Sequence, residues 1–376
     1  MSQMSLMSKT SSPRIDSIDG MRALAATAVI FSHVYLSYFQ HGLDPARWLD
    51  ALSPLGGIGV TLFLILSGFC ISHMYVGANP RTFQLSSFVE RRVLRIYPAY
   101  VVALLVAVGW LLVCNQKIDI GDFLTHLTLS HNFFPAYALS YGPYWTVALE
   151  MQLYGLFAIG MLMTKRMSPK TVLASGIGVW IAWRAVSVLM FGTKFVPETF
   201  TFTYSAFGRL LEFALGVLIA ANWHRLCDIV FIKKYEVGII FGALMVILSQ
   251  MVLGSKLGST NPVNDLLMTC GLGTLFVLSI IPSTRLSALM SKRMLARLGE
   301  ATYSVYLFHA VVIDIMAKNV LTRMPSNSEF IYLVMTTIVC ILTGLGAYML
   351  VERPVMSWAK VWHKRSDMRT VKSVAV

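Results

Sequence analysis

Long apolar runs alternate with short polar links along the whole chain. The first run, Gly20 to Phe39, reads GMRALAATAVIFSHVYLSYF and has the ~20 residues a helix needs to cross a bilayer. Similar runs predict further spans at about Gly57–Val76, Ile96–Cys114, Pro143–Met163, Thr171–Phe191, Tyr204–Asn222, Val237–Leu253, Asp265–Ile281, Gly299–Asn319 and Phe330–Val351. The expected fold class is therefore all-α, a polytopic membrane protein of about ten transmembrane helices. The polar and aromatic segment Lys117–Tyr141 is too mixed for a span and is expected to form a lid or a re-entrant loop. The organisation that follows is a polar tail over 1–19, a transmembrane domain over 20–352 and a basic tail over 353–376. No internal repeat or low-complexity tract interrupts it. The polar start lacks the apolar core and cleavage site of a secretory signal, so the first span is expected to act as an uncleaved anchor.

Composition agrees with that pattern. Of the 376 residues, 56% are hydrophobic and 13% charged, about half the charge fraction of a soluble domain. The net charge of +13 suits either nucleic acid or cytoplasmic loops, and its distribution favours loops. With ten spans, one set of alternate links and tails holds 23 of the 31 Lys and Arg residues and the other holds 6. The positive-inside bias then puts both termini in the cytoplasm, with anionic lipid rather than nucleic acid as the partner of that charge. Cys70, Cys114, Cys227, Cys270 and Cys340 are scattered through apolar runs, without disulfide or metal-ligand spacing.

Ionisable groups inside spans cost roughly 2.5–3.5 kcal/mol each on insertion scales, so they mark candidate chemistry. Those expected deep in the membrane are His33, Glu150, Arg184, Arg209, Glu212, His309 and Asp314. Arg22 and His33 are eleven residues apart, nearly three helical turns, and project from one face about 16 Å apart. His33 and Glu150 come to similar depths and His309 lies somewhat closer to the cytoplasm, so the three are expected to converge on one buried site. An imidazole beside a carboxylate makes a general base with an orienting partner. Plainer readings stand beside this one. A lone membrane His often bonds a neighbouring carbonyl, Arg209 and Glu212 are spaced to pair with each other, and Asp314 is placed to snorkel outward. Arg184 has no evident partner. In Arg91-Arg92-Val93-Leu94-Arg95, Arg92 and Arg95 are neighbours on a helix face and suit either lipid headgroups or a phosphorylated ligand.

Six blocks in order resemble the integral-membrane acyltransferase 3 family. They are IDGMRALAATAVIFSH, GGIGVTLFLILSGFCIS, FVERRVLRIYPAY, YWTVALEMQLY, LGEATYSVYLFH and VERP, and the likeness covers nearly the whole chain. The resemblance implies a membrane O-acyltransferase of the bacterial inner membrane. It would move an acyl group, usually acetyl, from acyl-coenzyme A to a hydroxyl of a glycan, a lipid-linked sugar or a macrolide-type molecule. It further implies that Arg22, Arg92 and Arg95 hold the coenzyme phosphates and that His33 is the essential imidazole with Glu150 orienting it. Trp145, Tyr306 and His309 align with the family's blocks and are expected on the acceptor side. No metal or permanently bound cofactor is implied. Thr146 stands where the family often has Ser and receives no nucleophilic role. The aromatic residues Phe133, Phe134, Tyr137, Tyr141 and Tyr144 would stack a sugar or line the membrane interface. A transporter or flippase for a lipid-linked sugar is the competing class, although the related halves typical of transporters are not evident.

Overall fold

In lipid every backbone polar group needs an internal partner, which leaves helices as the economical answer to runs of this length. The computed structural model describes residues 15–75, 82–257, 260–325 and 328–362, and no strand occurs among them. The cations Lys9, Arg14, Arg81, Lys364, Arg365, Arg369 and Lys372, and the side chain of Lys256, lie outside what is described, as do the first 14 residues and the end of the basic tail from 363.

Ten apolar helices fall on the ten predicted spans. They are α1 (Asp16–Gln40), α2 (Leu55–His73), α3 (Leu85–Val113), α4 (Trp145–Met163), α5 (Pro169–Phe191), α6 (Leu210–Ala221), α7 (Glu236–Leu257), α8 (Pro262–Ile280), α9 (Thr302–Asn319) and α10 (Glu329–Ala347). Eight are long and apolar enough to cross a membrane; α6 and the apolar stretch of α7 are shorter. Local chemistry sets two starts. Ser168 and Asn261 cap α5 and α8 by accepting from the Thr171 and Val263 amides, and a proline follows each cap where its missing N–H costs nothing.

Three boundaries differ from the sequence expectation. The basic link before the third span is itself the first turns of α3, because Phe88, Arg92 and Ile96 recur at helical spacing and are buried together. The sixth span is shorter than the predicted Tyr204–Asn222, beginning at Leu210, just after Arg209. Past α10 the chain makes a π turn, Tyr348–Glu352, and stays helical to Trp362, so the first ten residues of the expected tail prolong the last span.

α2 is apolar on every side and is the axis of the bundle, packed against α1, α6 and α8. Its crossing with α6 is set by two glycines. A Cβ on Gly68 would lie 2.1 Å from the Phe213 carbonyl oxygen, and one on Gly216 would lie 2.1 Å from that of Ile65. Small residues let membrane helices approach backbone to backbone, where dispersion and weak hydrogen bonds replace the missing hydrophobic drive. Gly216→Val is expected to cost about 1–3 kcal/mol or more through overpacking. A thermal melt of the purified protein, with a drop of several degrees, checks it.

The connection from α3 to α4 folds into the bundle. Its short helix, Ile120–Leu127, is capped by Asp119, which accepts from the Asp122 amide. At the other end the His126 and Leu127 carbonyls accept from the hydroxyls of Tyr100 (2.9 Å) and Tyr97 (2.6 Å) of α3, about 18 Å or more from that helix's start. His126 and His131 stack at 3.7 Å with Tyr141 edge-on. Burial pushes His126 down to about 4, and burial with the neighbouring His126 pushes His131 down to about 3, so the stack consists of two uncharged rings.

Candidate active site

α1, α2, α3, α4, α9 and the helical extension of α10 enclose a cavity of about 470 Å³, within the range of small-molecule pockets. Arg22, Arg92, Arg95, Glu150 and Tyr306, five of the site residues expected from sequence, line it. Lys360 also reaches it, and so do Asp19, Glu300 and Glu352. The lining is therefore not simply cationic, and what decides its character is how each charge is engaged.

Arg22 donates to Asp19 (3.0 Å) and to the Cys70 sulfur (3.3 Å). Glu352, at the π turn, accepts from the Ser304 hydroxyl at 2.6 Å. Glu150 accepts from Ser67 (2.8 Å) and Tyr154 (2.5 Å). Arg92 is different. It is 7% exposed, its guanidinium lies over the rings of Tyr154 (5.3 Å) and Phe88 (5.7 Å), and its polar contact is the thioether of Met74 at 3.4 Å. Its Nε is buried without a partner, and it forms no ion pair with a carboxylate among the described residues. A buried guanidinium in that condition is costly unless an anion joins it.

Arg184 and Arg209 also have a buried Nε without a partner, but unlike Arg92 each is ion-paired with a carboxylate. Arg184 donates to Asp265 (2.8 Å), Thr203 (2.7 Å) and the Thr260 carbonyl (2.6 Å). Arg209 meets Glu212 (3.1 Å), Asp265 (3.4 Å) and Thr61 (2.7 Å). Arg184 thus has a partner that its own helix did not reveal, and the Arg209–Glu212 pair is part of a larger group that ties α2, α5, α6 and α8 together. Asp314 is not merely snorkelling: it accepts from Trp110 (2.6 Å) and Lys318 (2.8 Å) and lies 3.5 Å from His41.

At the deep end of the cavity, Tyr306 accepts from the Thr146 hydroxyl (2.6 Å) and donates to the Pro143 carbonyl (3.1 Å), with Phe63 edge-on at 5.9 Å. Behind this wall sit the two imidazoles. The rings of His33 and His309 meet edge to face at 4.9 Å, and Tyr306 packs on His309 at 5.2 Å. Neither imidazole lines the cavity, which stops one side-chain layer short of them. His33 Nδ1 lies 2.9 Å from the Val29 carbonyl oxygen. A carbonyl only accepts, so Nδ1 carries the hydrogen and Nε2 keeps its lone pair, the form a general base needs.

Several expectations are corrected here. Glu150 does not orient His33: its carboxylate is held by Ser67 and Tyr154, while His33 is held by its own helix and by His309. The convergence involves two of the three groups, because Glu150 is held by Ser67 and Tyr154 on the wall it shares with the arginines. His309 is 0% exposed and so contacts His33 rather than solvent. Trp145 packs on Tyr204 (4.8 Å) and Phe200 (5.7 Å), away from the cavity lining. Tyr141 and Tyr144 are buried, which leaves Phe133, Phe134 and Tyr137 of the expected aromatic group with accessible surface. Ser67, Tyr154 and Glu352 were not singled out from sequence. The carboxylate of Glu352 stands beside Arg353 at a helix end, where it reads as surface charge, and an isolated Ser or Tyr in a span carries no signal.

Comparison with known proteins adds a second line. The profile of the Acyl_transf_3 family, described as an acyltransferase domain, matches residues 15–345. The chain is 27% identical over 314 residues to the exopolysaccharide production protein ExoZ of Rhizobium meliloti (80% of this chain, 90% of ExoZ). It is 26% identical over 327 residues to the peptidoglycan O-acetyltransferase OatA of Listeria monocytogenes (80% and 50%), and 24% identical over 379 residues to the O-acetyltransferase OatA of Staphylococcus aureus (93% and 58%). The chain thus spans somewhat over half, or half, of those two longer relatives. No solved structure matches it.

Proposed function

Because the chain belongs to this family of membrane acyltransferases, we propose that it transfers an acyl group, acetyl first among candidates, from acyl-coenzyme A to a hydroxyl of a surface polysaccharide or its lipid-linked precursor. The observation that carries the reading is Arg92, a buried guanidinium without a carboxylate, on the wall of a cavity that runs toward two imidazoles. Arg184 and Arg209, equally buried, are neutralised by Asp265 and Glu212. Arg92 is left for an anion that arrives with the ligand.

The coenzyme phosphates bind Arg92, Arg95 and Arg22 on the cytoplasmic side of an inner bacterial membrane, and the pantetheine arm lies along α2 and α4 with its thioester toward Thr146 and Tyr306. The acceptor reaches His33 from another side, since His33 keeps accessible surface outside the arginine cavity. When the Tyr306 side chain that separates the cavity from the imidazoles swings aside, the proton of the acceptor hydroxyl passes to His33 Nε2 and its oxygen bonds to the thioester carbon. The C–S bond breaks and the departing thiolate takes the proton. The Thr146 hydroxyl is engaged with Tyr306 and the Pro143 carbonyl and takes no nucleophilic role in this scheme.

Incubating the purified protein with radiolabelled acetyl-coenzyme A, and weighing surface glycans from cells with and without the gene, tests the reaction and finds the acceptor. Retained labels without transfer, together with unchanged glycan masses, overturn the proposal. Replacing Arg92 and Arg95 together by Gln is expected to raise the apparent KM for acetyl-coenzyme A roughly 10- to 100-fold with a smaller change in kcat, one to two charge-assisted hydrogen bonds' worth. An unchanged KM returns both arginines to lipid binding.

A further inference from the structure

His309 Nδ1 faces the Tyr306 carbonyl oxygen, which can only accept, so its hydrogen sits there. Its Nε2 is buried without a hydrogen-bond partner. An unsatisfied buried acceptor costs about 1–3 kcal/mol and calls for a reason. The ring is 0% exposed, so no solvent or substrate meets it in this state. Its ring neighbours are Tyr306, at 5.2 Å, and His33, edge to face at 4.9 Å. With the N–H turned to Tyr306, His309 offers His33 either the lone-pair edge or the π face, and both attract a cation.

We propose that His309 is a positioning residue for His33: it fixes the plane of the His33 ring and stabilises that ring while it carries the acceptor's proton. This rests on the reading of His33 as the base. It fills the place that Glu150 leaves vacant, since no carboxylate contacts His33 among the described residues. The other ionisable groups around the pair are already engaged. Tyr306 holds Thr146 and Pro143, and the Cys340 thiol of α10 points at the His309 carbonyl (3.8 Å). Outward on α9, Asp314 is shared by Lys318, Trp110 and His41; inward on α4, Glu150 is held by Ser67 and Tyr154.

His309→Asn keeps an amide donor for the Tyr306 carbonyl and removes the ring with its lone pair. In the full-length purified protein, the pH profile of diethyl pyrocarbonate modification of His33, followed by peptide mass spectrometry, is expected to shift its midpoint to lower pH by about half a unit or more. Loss of packing alone changes the plateau rate and leaves the midpoint in place. CoA release from acetyl-coenzyme A, with cellotetraose as probe acceptor, is expected to lose roughly 30- to 100-fold in kcat while KM for the donor stays within about threefold. His309→Gln, which returns an acceptor oxygen near the Nε2 position, is expected to shift the midpoint less than His309→Asn; His309→Leu, which removes both the lone pair and the ring face, carries the full shift if the Asn variant folds poorly. An unmoved midpoint overturns the inference, and the modification profile decides this by itself. Should His33→Ala retain normal transfer, the base assignment fails first, which separates the two failures.

Discussion

His33→Ala is expected to lower acyl transfer by roughly a thousandfold or more, measured as radiolabelled acetyl moved from acetyl-coenzyme A by the purified protein. The size follows from the geometry. His33 is the partly exposed member of the imidazole pair, its Nδ1–H is spent on Val29, and its Nε2 lone pair is the one free to take a hydroxyl proton. No second base replaces it, because His309 is fully buried behind it. The fold should survive, since the bond lost is to a carbonyl of the same helix. A variant with a wild-type melting curve and normal turnover would remove the imidazole from the mechanism.

The largest structural effect is expected from Asp265→Ala. This carboxylate lies 2.8 Å from Arg184 and 3.4 Å from Arg209, both nearly inaccessible. Its removal leaves two buried guanidiniums to share Glu212 and a few hydroxyls. Breaking a buried pair from one side typically costs about 3–5 kcal/mol, comparable to a large part of a protein's net stability. Yield of monodisperse protein and the midpoint of thermal unfolding should both fall sharply. Asp265→Asn, which preserves shape and one acceptor, should fall between. Equal midpoints for all three proteins would mean that the network is held by packing rather than by charge.

Some of this site was legible from residue spacing. Arg22 lies on the predicted face of α1, and Arg92 and Arg95 share one wall three residues apart, because helix geometry fixes which positions point together. Depth counting put His309 only somewhat nearer the cytoplasm than His33, and their rings do meet. The same counting failed for Glu150. Depth says nothing of which neighbour a helix face meets, and the face of α4 that carries Glu150 meets Ser67 of α2. Partners far apart in sequence were likewise hidden. Arg184 and Asp265 are 81 residues apart, and Glu352 meets Ser304 across a π turn that no periodicity announces.

By itself the amino-acid order determined the ten apolar helices and the candidate ions within them. Those follow from local properties, hydrophobic length and the cost of charge in hydrocarbon. Only the tertiary structure decided which ions neutralise each other and which stand open. That depends on where separate helices cross, and the crossings are set by contacts such as Gly68 and Gly216, whose meaning appears only when α6 lies against α2.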